Sequence, residues 1–185
     1  RLEATERVRA EVAQPDLVIN TAAYNAVDTA EEKPAAADAV NGTAVGALAA
    51  TAATIGATFV HYSTDFVFDG TKRDGYAEGD VPSPVNAYGR SKLLGERALL
   101  EVAARSPSWR WYLIRTTRLF GRQGVSPNTK RSFVDTMVSV SATKDRLELI
   151  DEEVSSPTYA PDLARATREI IERSLPSGVY HRTND

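Results

Sequence analysis

The chain has 185 residues, 42% of them hydrophobic and 25% charged, with a formal net charge of −3 and no cysteine. That length supports one domain, or one domain and part of another. The mild negative charge gives no basic footprint for nucleic acid, the lack of cysteine excludes disulfide and thiolate chemistry, and no apolar run of about 18 residues or signal-peptide pattern calls for a membrane.

In chain order, Leu2–Ala13 reads as a helix rich in Glu and Arg, and Asp16–Asn20 as a short apolar strand. Pro34–Ile55 is Ala-rich and helical, with Pro34 suited to its first turn and Gly56 to its end. Ala57–Tyr62 is a β-branched, apolar strand. Thr64–Asn86 is loop, and Ala87–Ala104 is helix. Trp109–Arg115 is a third strand, and Thr116–Lys130 is polar and turn-rich. Ser132–Ala142 reads as helix, 147–150 as extended, Pro161–Ser174 as helix and Gly178–His181 as a last short strand. Alternating strands and helices predict an α/β fold, a Rossmann-like parallel sheet with flanking helices. In such sheets ligands bind beyond the carboxyl ends of the strands. Here those ends are Asn20–Tyr24, Ser63–Asp65 and Arg115–Thr117.

Chemistry is concentrated in Tyr88-Gly-Arg-Ser-Lys92, preceded by Ser63-Thr64-Asp65 at a strand end. Tyr and Lys four apart share one helix face. Chance supplies such a pair in roughly one sequence in five, so order and context must carry the signal. A free tyrosine ionises at about 10 and is a poor proton donor at neutral pH; Lys92 is expected to favour the phenolate and lower that value. Tyr88 would then be a general acid, with Thr64 hydrogen-bonded to a substrate carbonyl oxygen. A strand-end hydroxyl such as Thr64 also caps the following loop. His61 and His181 lie far apart in no metal-ligand spacing, and Asp151–Glu153 reads as a solvated acidic loop, so no metal site is expected.

In these residues the chain resembles the extended short-chain dehydrogenase/reductases and, more narrowly, the dTDP-4-dehydrorhamnose reductase family. The matching pieces are Val18–Asp28 with Ala30-Glu31, Val40–Thr43, His61–Gly70, Tyr88–Glu96, Ile114–Gly121, Ser132–Val134 and Ser156–Ala164. Three departures accompany them. The family's opening strand, glycine-rich loop and helix have no counterpart after Arg1, so the chain is expected to be a fragment. It also stops short of the family's C-terminal helical part. Arg118 stands where the better-known members carry Trp, and Phe66 replaces a common Tyr.

The resemblance implies residues 1–123 as a partial NAD(P)-binding Rossmann domain and 124–185 as a mixed substrate-binding region with the last Rossmann elements. It implies hydride reduction of the C4 ketone of a nucleotide-activated 4-keto-6-deoxy sugar with NADPH or NADH. Thr64, Tyr88 and Lys92 are the implied catalytic residues. The implied cofactor contacts are Ala22, Ala23, Tyr24, Ser63, Tyr88, Lys92, Arg115 and Thr116. The implied substrate contacts are Val27, Thr64, Asp65, Phe66 and Arg118, where Arg118 either pairs with a diphosphate or is a surface charge. Asn41 either supports the site from behind or is a solvated helix residue. The expected partner is the nucleotide-sugar substrate, with a homodimer allowed, no nucleic acid and no membrane, and the expected compartment is the cytoplasm. An epimerase or dehydratase of the same superfamily, and a non-catalytic dinucleotide-binding regulatory subunit, are the alternatives. The dehydratases place Glu after the Thr-Asp pair; Phe66 stands there in this chain.

Overall fold

The computed structural model describes residues 15–122, 132–148 and 154–184. The helix predicted at 2–13, the acidic run 151–153 and the latter half of the extended segment 147–150 lie outside the described residues. The elements run β1 (Leu17–Asn20), α1 (Val27–Glu32), α2 (Pro34–Asp38), a π-helical turn (Ala39–Thr43) and α3 (Ala44–Ile55). Then come β2 (Thr58–Thr64), a 3-10 turn (Asp65–Val67), α4 (Ala87–Arg105), β3 (Trp111–Thr116), β4 (Leu119–Phe120), α5 (Phe133–Ser141), β5 (Thr158–Tyr159), α6 (Ala160–Glu172) and β6 (Gly178–His181). Two compact units result: residues up to Arg115 with Pro176–His181, and Thr116–Leu175 with Arg182–Asp185.

The first unit is a parallel sheet in the order β1-β2-β3-β6 with flanking helices. Asn20 stands beside His61 in the β1–β2 register, and Arg115 beside His181 in β3–β6. Polar side chains are thus paired across strands at the carboxyl ends. Helices α3 and α4 pack on one sheet face through Val45, Ala49, Ala52, Phe59, Leu99 and Trp109. Phe59 stacks on Trp109 at 6.1 Å, and the Trp109 indole N–H donates to the Ala57 carbonyl at 2.7 Å. Each such large apolar side chain contributes about 1.5–3 kcal/mol on burial, whereas the small residues of α3 contribute by letting α4 come close.

The start of α4 is fixed from two directions. The Asn86 side chain accepts the Gly89 N–H at 2.7 Å, and Glu31 of α1 accepts the Ala87 N–H at 2.6 Å. Both caps satisfy first-turn donors that a helix leaves open. Along α4, glycine is needed twice. A Cβ on Gly89 would lie 2.1 Å from the Phe66 carbonyl oxygen, and one on Gly95 would lie 2.0 Å from the Asn41 carbonyl oxygen.

In the second unit β4 pairs in parallel with β5, and Phe120 packs on Tyr159 with centroids 5.3 Å apart. Ser132 caps α5 by accepting the Asp135 N–H at 3.1 Å. Arg118 is a non-glycine residue at φ 39, a left-handed conformation that is uncommon for Arg.

The structure differs from expectation in several places: the predicted helix at 34–55 contains the π-turn, α1 occupies residues to which the sequence pattern assigns no helix, β2 runs on through Thr64, and the short strand β4 falls in the stretch read as polar and turn-rich.

The backbone contact at Gly95 yields a test. Gly95→Ala is expected to lower the urea midpoint by an amount equivalent to about 1–3 kcal/mol, the usual cost of overpacking. Gly79→Ala, where an added Cβ meets nothing within 4 Å, should shift it by less than about 0.5 kcal/mol.

Candidate active site

Strand β2 delivers Ser63 and Thr64 to its carboxyl end, and α4 brings Tyr88 and Lys92 to the same place. Thr64 has two roles at once. Its hydroxyl accepts the Phe66 N–H at 3.2 Å, capping the 3-10 turn, and donates to Asp65 Oδ1 at 2.9 Å. Phe66 meets Tyr88 edge to face, centroids 5.6 Å apart at 80°.

Lys92 is 2% exposed. Its Nζ donates to the Tyr62 carbonyl at 2.6 Å and lies 3.4 Å from His61 Nε2. Burial pushes its ammonium down to about 8, with Glu96 opposing. The Tyr88 phenol moves the other way from the sequence expectation. Burial raises it above its ordinary value, Thr64 draws it back, and Asp65 pushes it up further. The physical reason is desolvation of the packed phenol, with the Asp65 carboxylate adding to it.

Asn41 is buried, not solvated. Its carboxamide accepts the Tyr24 N–H at 2.8 Å and donates to the Tyr24 carbonyl at 2.9 Å and to Ser91 Oγ at 2.9 Å. Ser91 in turn donates to the Tyr88 carbonyl at 2.7 Å. One amide therefore ties the loop after β1 to the helix that carries Tyr88. Tyr24 and Tyr88 also share a small apolar cluster with Ala30, Ala37 and Ala87.

Ala22 and Ala23 are exposed beside this loop. Ser63 Oγ is buried without a hydrogen-bond partner, the one such side-chain atom among the described residues. A buried orphan hydroxyl costs about 1–3 kcal/mol, and a polar ligand would relieve that cost.

The other sequence-predicted residues are placed as follows. Val27 opens α1, and Asp65 and Phe66 form the turn after β2. Arg115 is buried in a bidentate pair with Glu96 (2.7 and 3.0 Å), with Phe68 under its guanidinium. That guanidinium holds β3 to α4. Thr116 and Arg118 belong to the second unit, where Thr116 Oγ1 donates to Thr158 Oγ1 at 3.3 Å and Arg118 Nε donates to Ser155 Oγ. Sequence reasoning missed Asn20, Glu31, His61, Ser91 and Glu96. A histidine inside an apolar strand that ends in Ser-Thr-Asp was the available signal for His61.

Among the described residues no three His, Cys, Asp or Glu side chains form a metal-holding group, and no helix is long and apolar enough to cross a membrane.

Comparison with known proteins matches residues 2–185 to the RmlD substrate binding domain, and the chain belongs to that family. It is 44% identical over 182 residues to a dTDP-4-dehydrorhamnose reductase of Burkholderia thailandensis, covering 94% of this chain and 57% of the relative. It is 39% identical over 175 residues to one of Sinorhizobium fredii, covering 91% and 55%. A crystal structure of dTDP-4-dehydrorhamnose reductase from Bacillus anthracis in complex with NADP superposes with TM-score 0.89 at 31% identity, covering all of this chain and 61% of that one. The chain spans little more than half the length of the curated relatives it matches.

The buried histidine sets a pH dependence. Burial first, then the nearby Lys92, lowers the His61 pKa from 6.5 to about 3, with Asn20 opposing. The unfolded chain therefore takes up a proton near 6.5 that the folded chain refuses until near 3. Stability falls as pH drops through that window, by about 1.4 kcal/mol per unit for one proton. His181, lowered in the same direction mainly by burial, adds to the slope. Urea unfolding followed between about pH 7 and pH 4 should show His61→Gln with a slope shallower by about one proton. An unchanged slope would mean that the ring is hydrated in the folded protein.

Proposed function

We propose that this chain, as a member of that family, supplies the acid–base centre for NAD(P)H-dependent reduction of the C4 ketone of a nucleotide-activated 4-keto-6-deoxy sugar. The reading is supported most by one observation: Thr64 ends a parallel strand while Lys92, one helical turn from Tyr88, is buried with its Nζ donating to the carbonyl of Tyr62 on that same strand. The curated relatives named as dTDP-4-dehydrorhamnose reductases, and the NADP held by the Bacillus anthracis protein, point the same way.

When bound, the dinucleotide supplies the hydride for the ketone carbon. The chain's own residues do the rest. Ala22, Ala23, Tyr24, Ser63 and Lys92 would hold the nicotinamide and its ribose in this reading, with Ser63 and Lys92 as donors. Thr64 turns its proton from Asp65 Oδ1 to the ketone oxygen and fixes it next to Tyr88. Tyr88 gives its phenolic proton to that oxygen as negative charge develops there. Its raised pKa keeps the phenol protonated until then, and Lys92 one turn away stabilises the phenolate that remains. Phe66 packs against Tyr88 and holds the ring in place without offering an acid. That favours reduction over dehydration, in which an acid must expel water from the sugar. Substrate contacts from Val27 and Asp65 belong to the same proposal.

Tyr88→Phe keeps ring packing and loses the proton. In the protein that carries this chain, it should slow reduction of dTDP-4-dehydrorhamnose about 10²–10⁴-fold while leaving dinucleotide affinity nearly intact. Lys92→Ala should weaken both. Stopped-flow hydride transfer with a cofactor titration checks this, and near-normal turnover in Tyr88→Phe would favour a non-catalytic dinucleotide-binding subunit.

A further inference from the structure

A buried polar chain runs behind Lys92, and its donors and acceptors can be assigned one by one. The Ala22 N–H donates to Asn20 Oδ1 at 3.1 Å. That bond fixes the carboxamide orientation, so it is Asn20 Nδ2 that faces His61 Nδ1, at 3.1 Å. An amide nitrogen only donates, so Nδ1 of His61 is an acceptor and carries no proton. The neutral imidazole then has its proton on Nε2, the atom 3.4 Å from Lys92 Nζ. His61 is fully buried with a strong preference for the neutral ring. An ammonium at that place would set N–H against N–H. An amine accepts from Nε2–H and still donates to the Tyr62 carbonyl.

His181 provides an internal contrast. Its Nδ1 lies 3.0 Å from the Tyr76 carbonyl, an acceptor, and its Nε2 lies 3.3 Å from Arg115 Nη1, a donor. That ring therefore has its proton on Nδ1. The two histidines are neighbours in kind but hold opposite tautomers, each dictated by its partners.

We propose that His61 is a positioning residue for Lys92: fixed by Asn20 as the Nε2–H tautomer, it aims its ring proton at Nζ and weakens the hold of the site on the ammonium in the unliganded protein. The inference rests on the reductase reading, since Lys92 matters for the reaction only there. It adds a reason for Lys92 to exchange its proton near neutral pH, as a residue that must stabilise, and then reprotonate, the Tyr88 phenolate on each turnover. The other charged groups around Lys92 are accounted for. Glu96, on its own helix, favours the ammonium, but its carboxylate is already held by Arg115 from β3.

The test needs neither substrate nor dinucleotide, so it stands apart from the test of the reductase reading. The sequence has only two histidines, so long-range ¹H–¹⁵N spectra of the ¹⁵N-labelled protein at pH 7 resolve both rings. The expected result is Nε2–H for His61 and Nδ1–H for His181. Asn20→Asp is isosteric, still accepts the Ala22 N–H, and presents an acceptor to Nδ1. It should switch His61 to a ring protonated on Nδ1 and raise the Lys92 titration, followed at its ¹³Cε, by tenfold or more in acid constant. His61→Gln restores an acceptor toward Asn20 and a donor toward Nζ, and should keep that titration near the wild-type value. A wild-type His61 protonated on Nδ1 overturns the proposal. So does an Asn20→Asp protein whose Lys92 titration rises while His61 stays Nε2–H, because added charge alone would then explain the rise. If Asn20→Asp does not fold, the wild-type tautomer together with the His61→Gln titration still decides.

Discussion

Contact between backbones, made possible by two glycines, is the constraint on which the first unit depends. Helix α4 lies against the Phe66 and Asn41 carbonyls at distances that leave no room for a Cβ. Gly89 is the residue after Tyr88, and Gly95 lies less than a turn after Lys92. The same close approach that packs the helix therefore sets the depth at which the phenol and the amine enter. It also explains the π-turn. An extra residue in that turn of the helix shifts the Asn41 side chain toward Tyr24 and Ser91, where its carboxamide makes three hydrogen bonds. Packing and site geometry here are one property.

Burial of Lys92 follows from that depth, and it creates an electrostatic problem. An unpaired ammonium in the interior costs several kcal/mol. Among the described residues no carboxylate touches Nζ, and Glu96, which favours the ammonium from a distance, is paired with Arg115. What the interior offers is a carbonyl, a neutral imidazole and, beyond that, Asn20. Neutral dipoles stabilise a charge less than a counter-ion does, so the amine is held near its point of titration. The Arg115–Glu96 pair, bidentate and buried, instead fixes the sheet to α4 on the other side. Two cations a few residues of structure apart thus have different jobs: one is neutralised for rigidity, the other left underpaired.

Much of this was legible in the sequence. Strand–helix alternation gave the parallel sheet, and Gly178–His181 was read at its observed bounds. Thr64, Tyr88 and Lys92 stood out by residue type, spacing and order. The rest depends on pairing that no local window contains. An Ala-rich stretch at 34–55 has the propensity of an ordinary α-helix, and only contact with Tyr24 and Gly95 decides that its middle is π. Arg115 at a strand end gives no local sign of its bidentate pair with Glu96, nineteen residues upstream. His61 reads as a lone core histidine until the β1–β2 register sets it beside Asn20. The direction of the Tyr88 shift was also beyond the sequence, since desolvation is a property of the packed pocket.

Position 66 shows how a single side chain narrows the chemistry. A carboxylate there would add a second negative charge near Tyr88, next to Asp65, which already pushes the phenol up. The phenol would then hold its proton more tightly, and the new acid would compete to be the proton donor. That suits a reaction in which water leaves, where acid must reach a departing hydroxyl. Reduction asks for one donor at one oxygen. The Phe66 ring meets Tyr88 edge to face, a geometry that aligns its positive edge with the facing π-cloud and stabilises the pair by about 0.5–1.5 kcal/mol beyond burial. It orients the phenol without titrating. In the proposed reduction, Tyr88 would be that one donor, with Thr64 beside it and Lys92 one turn behind.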